Sequence, residues 1–255
     1  MEFFAHNLLE MFHSFLWPMI RMSAFFLTAP FFGLSAFNLR AKIILSVVIA
    51  WILLPLIDVP EVDPFSFGAV WLIAREVMIG AFMGLFLQII LATLIIAGQI
   101  IAGGMGLSMA NMIDPNMGNI PTLSQFLLIV GILIFISLGG HLILISILVS
   151  SYTVLPIGQL EFSVELISGL VAWSSIMFLG AVSIAFPILF GLLLTNISLG
   201  IISRTAPSLN VFAVGFPALI PLGLLMLLLS VGIWLDQTEN LWFLAFSNLR
   251  DLLGL

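Results

Sequence analysis

Few side chains in this sequence are able to act as nucleophiles, bases or metal ligands. The 255 residues include no cysteine and three histidines, His6, His13 and His141. No His-Glu-x-x-His motif, no Cys/His cluster and no Walker A loop occurs, so the usual signatures of metalloproteases and ATPases are missing. The sequence therefore predicts no metal site, no cofactor and no ATP hydrolysis by that route.

One pairing of nucleophile and base remains. Ser108 follows Gly106-Leu107, and together with His141 it is the only combination that an intramembrane serine hydrolase would use. A Gly-x-Ser string is common by chance in glycine-rich helical proteins. His141 follows two glycines, which is also typical of a polar residue packed at a helix start. We expect no catalytic residue and keep the hydrolase as the weakest alternative.

Four charged residues are the next candidates: Arg21, Arg75, Glu76 and Arg204. A charge inside an apolar segment is expensive and is usually paired. Arg21 is expected to be neutralised by an acid of a partner chain. Arg75 and Glu76 are adjacent and project about 100° apart on a helix, so each needs a separate partner. We predict inter-helix or partner contacts for all four.

The composition indicates which kind of structure holds these residues in place. Hydrophobic residues make up 62% of the chain, charged residues 7%, and the mean hydropathy is +1.33. Soluble domains carry roughly 25% charged residues, so a soluble enzyme, a nucleic-acid binder and a disordered chain are excluded. Residues 115–160 contain no charge and no alternation of polar and apolar positions. The sequence predicts an all-α, polytopic membrane protein forming a single domain over residues 1–255.

Six apolar blocks and a final amphipathic stretch divide the chain, at residues 12–32, 43–57, 67–102, 123–155, 166–202, 211–235 and 240–253. A membrane span needs about 20 helical residues, and blocks three to five are each longer than that. We expect long, broken helical hairpins that bend at Gly-Gly pairs and at prolines such as Pro187, and that pack on partner subunits. Gly80 and Gly84 form a GxxxG pair, for which packing within the chain is favoured over a subunit interface.

The longest break in helical character lies at residues 103–121, which hold four glycines and two prolines. This central loop is apolar, with methionines at 105, 109, 112 and 117, so we expect it to lie inside a larger structure. Methionine side chains deform readily and fill irregular gaps. The loop is interpreted as a pore plug, with Gly103 and Gly104 as hinges. The alternative is a re-entrant loop packed as core.

The sequence of the same loop is similar to that of a known protein family. The run Gly106-Leu107-Ser108-Met109-Ala110-Asn111-Met112-Ile113-Asp114-Pro115 resembles the central loop of the FliR/SctT family, export-gate subunits of bacterial flagellar and virulence type III secretion systems. Residues 15–30, 140–142, 155–158 and 204–217 are similar to further stretches of that family, in the same order. The first and last of these look closest to the flagellar branch.

This resemblance implies a non-catalytic subunit of a protein export gate in the bacterial inner membrane, within the flagellar basal body. Its expected partners are several copies of FliP-like and FliQ-like membrane subunits, an FlhB-like subunit around the entrance, membrane lipid, and unfolded export substrates in transit. The plug is carried over to Gly106–Pro115, where Met109 and Met112 replace phenylalanines that are frequent in the family. No nucleic acid is expected.

A small-solute secondary transporter is the main alternative function. Such a protein needs polar groups that converge near the membrane midplane, and an internal repeat is typical. The sequence shows neither feature clearly, because its charges are scattered rather than arranged as a ladder along one helix face.

Overall fold

The computed structural model describes residues 2–30, 38–57, 59, 66–107, 122–158, 164–205 and 211–255, and within these ranges it contains helices and no strand. The all-α prediction is therefore confirmed. The helices are α1 (Glu2–Thr28), α2 (Leu39–Leu53, followed by a 3-10 turn at Leu54–Leu56), α3 (Phe67–Gly104), α4 (Thr122–Ser137), α5 (Gly140–Val154), α6 (Val164–Ser174), α7 (Ile176–Thr205), α8 (Val211–Leu229) and α9 (Val231–Leu253).

The lengths of these helices fit a polytopic membrane protein. Three stretches are long and apolar enough to cross a bilayer, namely Leu39–Leu56, Phe67–Gly104 and Val164–Thr205. Two bent pairs raise the number to five if each counts as one span: α4 with α5, bent by 67°, and the Pro217–Leu229 part of α8 with α9, bent by 63°.

The residues fall into two compact units. The first unit comprises Met1–Ile89, Gly139–Ser174 and Leu244–Leu255, and the second comprises Ile90–Leu138 and Ser175–Phe243. In the first, the rings of Phe86 and Trp173 stack at 4.8 Å. In the second, Trp242 Nε1 donates a 3.1 Å hydrogen bond to the Gly131 carbonyl beside Phe135. The single domain expected from the sequence stays a prediction.

Among the described residues, one break in the long blocks falls at a glycine pair and none falls at a proline. Block four breaks as predicted at Gly139-Gly140, where Gly139 has a φ of 66° and its carbonyl accepts from Leu142 N at 2.8 Å. The interruption predicted at Pro187 is wrong, because Pro187 lies inside α7 and the break falls at Ser175. A proline removes one backbone hydrogen bond, and in apolar surroundings no water competes for the remaining ones.

Block three contains no break, since α3 is continuous over 38 residues. The sixth block also differs from its prediction. It ends at Ser230, and α9 then takes in both the rest of that block and the amphipathic stretch. Pro217 and Pro221 lie within α8.

Gly139 provides a test of this geometry. A left-handed conformation costs a residue with a Cβ about 1–2 kcal/mol, and asparagine tolerates it best. No atom lies within 4 Å of a Cβ added at Gly139, so only backbone strain acts there. We expect Gly139→Val to lower the midpoint of thermal unfolding in detergent clearly more than Gly139→Asn does. Equal effects of the two variants would contradict the left-handed assignment.

Candidate functional site

The described residues reach the central loop from both sides. Of the predicted plug, Gly106 and Leu107 are described, and Ser108–Pro115 lie outside the described residues. Ser108 of the hydrolase alternative lies there too. His141 is the second residue of α5 and is half-buried, at the helix start where the sequence placed it.

Helix α3 enters the loop through a glycine cap. The Leu107 amide donates to the Ala102 carbonyl and the Gly106 amide to the Gly103 carbonyl, each at 3.0 Å. Gly106 has a φ of 77°, so these bonds form a Schellman cap with glycine at its left-handed position. Gly103 and Gly104 are the last two residues of α3. Their predicted hinge role stays a prediction, and the special backbone conformation belongs to Gly106.

Two close contacts hold the ends of the loop in the second unit. Before the loop, Met105 is buried and its side chain packs on Gly223 of α8. After the loop, Ser124 packs on Gly98 of α3, and its Oγ donates to the Ile95 carbonyl at 2.9 Å. We call Gly98, Met105, Ser124 and Gly223 the loop base.

An apolar cavity of about 340 Å³ lies beside the loop base. Its walls come from the residues before the loop, the residues after it, and one face of α8: Met105, Leu107, Thr122, Leu123, Phe126, Ile220, Leu224 and Leu227. The described residues on both sides of the central loop therefore border the same apolar space.

The first unit contains a buried ion pair. Arg21 Nε donates to Glu76 Oε2 at 2.7 Å, and Arg21 Nη2 donates to Oε1 at 3.2 Å. Both side chains are almost completely buried. The acid that neutralises Arg21 is therefore in the same chain, which corrects the expectation of a partner's acid.

The remaining donors of Arg21 bind the end of α5. Nη1 lies 3.2 Å from both the carbonyl and the hydroxyl oxygen of Ser151, and Nη2 lies 2.8 Å from the Leu155 carbonyl. The guanidinium sits 4.2 Å from the centre of the Tyr152 ring, whose hydroxyl donates to the Pro18 carbonyl at 2.9 Å. Helix ends leave carbonyls without intrahelical partners, and Arg21 supplies donors there.

We call Arg21, Glu76, Ser151 and Tyr152 the charge centre. It joins α1, α3 and α5 through side chains that satisfy each other, which is the arrangement that a buried charge requires. Ser151 and Tyr152 were not among the site residues predicted from the sequence. A usable signal existed for the latter, because Tyr152 is the single tyrosine of the chain and stands inside an apolar block.

The other two predicted charges do not join this centre. Arg75 is half-buried and makes no ion pair with any residue in the described part of the chain. Arg204 is exposed in the last turn of α7.

The GxxxG pair packs α3 against α1 next to the charge centre. A Cβ at Gly80 would collide with the Arg21 carbonyl and lie 3.0 Å from Ala24 Cβ, and one at Gly84 would collide with Thr28. Packing within the chain, the interpretation that the sequence favoured, is confirmed. Only glycine permits this approach of the two helices.

Comparison with known proteins now decides the family. Residues 12–245 match the family described as bacterial export proteins, family 1. The chain belongs to this family. Relatives named flagellar biosynthetic protein FliR include those of Pectobacterium carotovorum (35% identical, covering 94% of this chain and 92% of the relative) and Escherichia coli K12 (32%, covering 93% and 92%). The relative of Bacillus subtilis is 31% identical, and 98% of each chain is covered.

The similarity to this export protein family covers nearly the whole chain, because the matches leave out only a few residues at the ends. The family groups export proteins and not enzymes, and nothing in the comparisons favours a solute transporter or a serine hydrolase. The recognition made from the central loop is confirmed.

The charge centre yields a stability prediction. Arg21→Met leaves Glu76 buried without its partner, which costs about 3–5 kcal/mol. Arg21→Lys also destabilises, because an ammonium cannot reproduce the forked contacts. We expect the double variant Arg21→Met/Glu76→Leu to lose less than the sum of the single variants, because no unpaired charge remains.

The measurement is the free energy of unfolding in mixed detergent micelles. Arg40→Met is the matched control, because the Arg40 side chain is exposed at the start of α2. Its effect is expected to stay within about 0.5 kcal/mol. Single variants at Arg21 no more destabilising than Arg40→Met would show that the charge centre does not hold the first unit together.

Proposed function

We propose that the chain is a non-catalytic subunit of the flagellar type III protein export gate in the bacterial inner membrane. The observation that carries this proposal is the family match over residues 12–245, together with relatives named flagellar biosynthetic protein FliR along nearly the full length. Helices long enough to span a membrane support the location.

Exposed apolar side chains support an assembly with other membrane subunits. Two helices carry large hydrophobic groups on outward faces of the chain, among them Ile44, Trp51 and Ile52 on α2 and Phe178, Val182, Phe186 and Phe190 on α7. Such surfaces require lipid or protein against them. We assign them to FliP-like and FliQ-like subunits and to lipid, with an FlhB-like subunit at the entrance of the channel.

The two charges outside the charge centre fit the same assembly. Arg75 is half-buried and forms no ion pair within the described residues, because the adjacent Glu76 is paired with Arg21, and Arg204 is exposed at the end of α7. A charge at membrane depth is stable when it is paired. In this proposal both arginines contact acids or carbonyls of neighbouring subunits.

The central loop supplies the gate. In the closed state the apolar side chains of Gly106–Pro115 expel water from the constriction, so that ions do not pass. Met109 and Met112 deform to let an unfolded chain through. Gly103 and Gly104 are the proposed hinges. The driving energy comes from the proton motive force and a separate ATPase.

Removal of the seal is expected to open the channel to ions. Deleting Met109–Ile113, or replacing Met109 and Met112 together by serine, lets water enter the constriction. The cell membrane then depolarises, as measured with a voltage-sensitive dye. The matched control replaces the same two methionines by leucine, which keeps the segment apolar and is expected to stay tight. An unchanged membrane potential after the deletion would contradict the plug.

Purification separates the proposal from the transporter alternative. A tagged chain is expected to bring down two different small membrane proteins, because its exposed helix faces need partners. Gel analysis and mass spectrometry of the detergent-solubilised complex provide the measurement. A chain that purifies alone, or only with copies of itself, would favour a transporter. Labelling by a serine-directed probe, with its loss in Ser108→Ala, would favour the hydrolase.

A further inference from the structure

Helix α2 is the least covered of the three stretches that are long and apolar enough to cross a bilayer. Its stretch Leu39–Leu56 has a mean hydropathy of 2.1, yet 17% of it is buried, against 61% and 33% in the apolar windows of the other two. Its buried residues, Ser46, Ala50 and Leu53, lie on one narrow stripe, and α2 packs on α1. Most of its circumference is therefore uncovered within the described part of the chain.

The exposed face of α2 has the composition of a lipid-facing helix. Ile44, Val48 and Ile52 follow each other at intervals of four, so they lie on one line along the helix, with Trp51 beside it. Every exposed side chain between residues 43 and 53 is large. Tight contacts between membrane helices use small residues, and both small residues of this part, at positions 46 and 50, are buried. The exposed face is therefore suited to acyl chains rather than to a second helix.

Two cations stand at the beginning of this helix. The Arg40 side chain is exposed and that of Lys42 is half-buried, and neither forms an ion pair with a residue that the structure describes. The backbone amides of this turn are already occupied, because those of residues 40, 41 and 42 all donate to Asn38. The positive charge open to a ligand therefore belongs to the two side chains. Basic side chains at the end of a membrane helix reach lipid phosphates, and anionic lipids attract them most.

The length of the helix and its tryptophan agree with a lipid environment. Leu39–Leu56 has 18 residues, which is about 27 Å of helix and close to the thickness of a hydrocarbon core. Trp51, towards the other end, is more than half exposed, and so is Trp71 in the second turn of α3, the next helix. Tryptophans are enriched at the boundary between membrane and water. The cations and Trp51 are thus placed as in a helix that spans one bilayer.

We propose that α2 faces the bilayer in the assembled complex and that its exposed face binds an anionic phospholipid. Arg40 and Lys42 bind the phosphate, and an acyl chain lies along Ile44 and Val48, which continue the line that begins at Arg40. A zwitterionic headgroup brings its own cation, so a net negative lipid complements the two uncompensated charges better. The proposal rests on the membrane location proposed above, and it assigns α2 to lipid rather than to a neighbouring subunit.

The experiment uses the complete co-purified complex in nanodiscs of phosphatidylcholine and phosphatidylglycerol in equal amounts. The chain has no cysteine, so Val48→Cys carries a fluorophore at one defined position. Bromine atoms on the acyl chains of one lipid at a time quench it on contact. We expect brominated phosphatidylglycerol to quench more strongly than brominated phosphatidylcholine. Arg40→Gln is expected to lower that preference about five-fold, and Arg40→Gln/Lys42→Gln to lower it further.

Two variants show whether the charge at this position is responsible. Arg250→Gln is the matched control, because it removes the same charge from an exposed position in the last turn of α9. It is expected to leave the preference unchanged. Arg40→Lys keeps a cation in place and is expected to retain most of the preference, whereas a loss equal to that of Arg40→Gln would contradict binding by charge.

The possible outcomes separate this proposal from the function proposed above. No quenching by either lipid would show that a neighbouring subunit covers α2 and would overturn the proposal, while intact co-purification would leave the export-gate function in place. Equal quenching by the two lipids would remove the anionic-lipid site. Selective quenching of a chain that purifies without other subunits would support the lipid site and contradict the export-gate function.

Discussion

A buried arginine with every contact supplied from its own chain is the interaction on which the first unit depends. The chain carries six basic and twelve acidic residues, and most helix surface is apolar. In such surroundings an unpaired Arg21 would be far more costly than any single packing defect. Glu76, two carbonyls at the end of α5 and the Tyr152 ring meet this requirement together. The relative placement of α1, α3 and α5 follows from that geometry.

Glycine provides the second constraint, because apolar helices gain little from burial when the surrounding solvent is itself apolar. Close approach and van der Waals packing replace the hydrophobic effect. Gly80 and Gly84 let α3 meet α1 in the first unit, and Gly98 lets α3 meet α4 in the second. The long helix α3 therefore contributes the glycine at both of these close approaches.

The sequence predicts the class of this structure and the protein family, but not its internal contacts. Composition is sufficient for an all-α polytopic membrane protein, and Gly139-Gly140 marks a true break. The break predicted at Pro187 is absent, because an apolar helix tolerates the loss of one hydrogen bond. The breaks at Ser175 and Ser230 fall at neither a glycine nor a proline, so no residue type at the break marks them in the sequence.

The contacts of the candidate site are also only partly predictable from the sequence. Glycines near residue 104 signal a helix end, yet hydrogen-bond geometry is needed to place the cap at Gly106. Arg21 and Glu76 are 55 positions apart, so no local rule pairs them. The contact of Gly98 with Ser124 has no sequence signature either. Both pairings depend on how the helices cross. The crossing of helices leaves no periodic pattern in a single sequence.

The most direct test of the account asks whether an export substrate touches the central loop. The chain has no cysteine, so a single cysteine at position 109 is a unique crosslinking site. With a substrate stalled in transit and carrying its own cysteine, the account predicts a crosslink between the two that disappears when the substrate is released. A cysteine at exposed Gly200 is expected to give none. Ongoing export with no crosslink at position 109 would contradict the claim that this chain lines and plugs the channel.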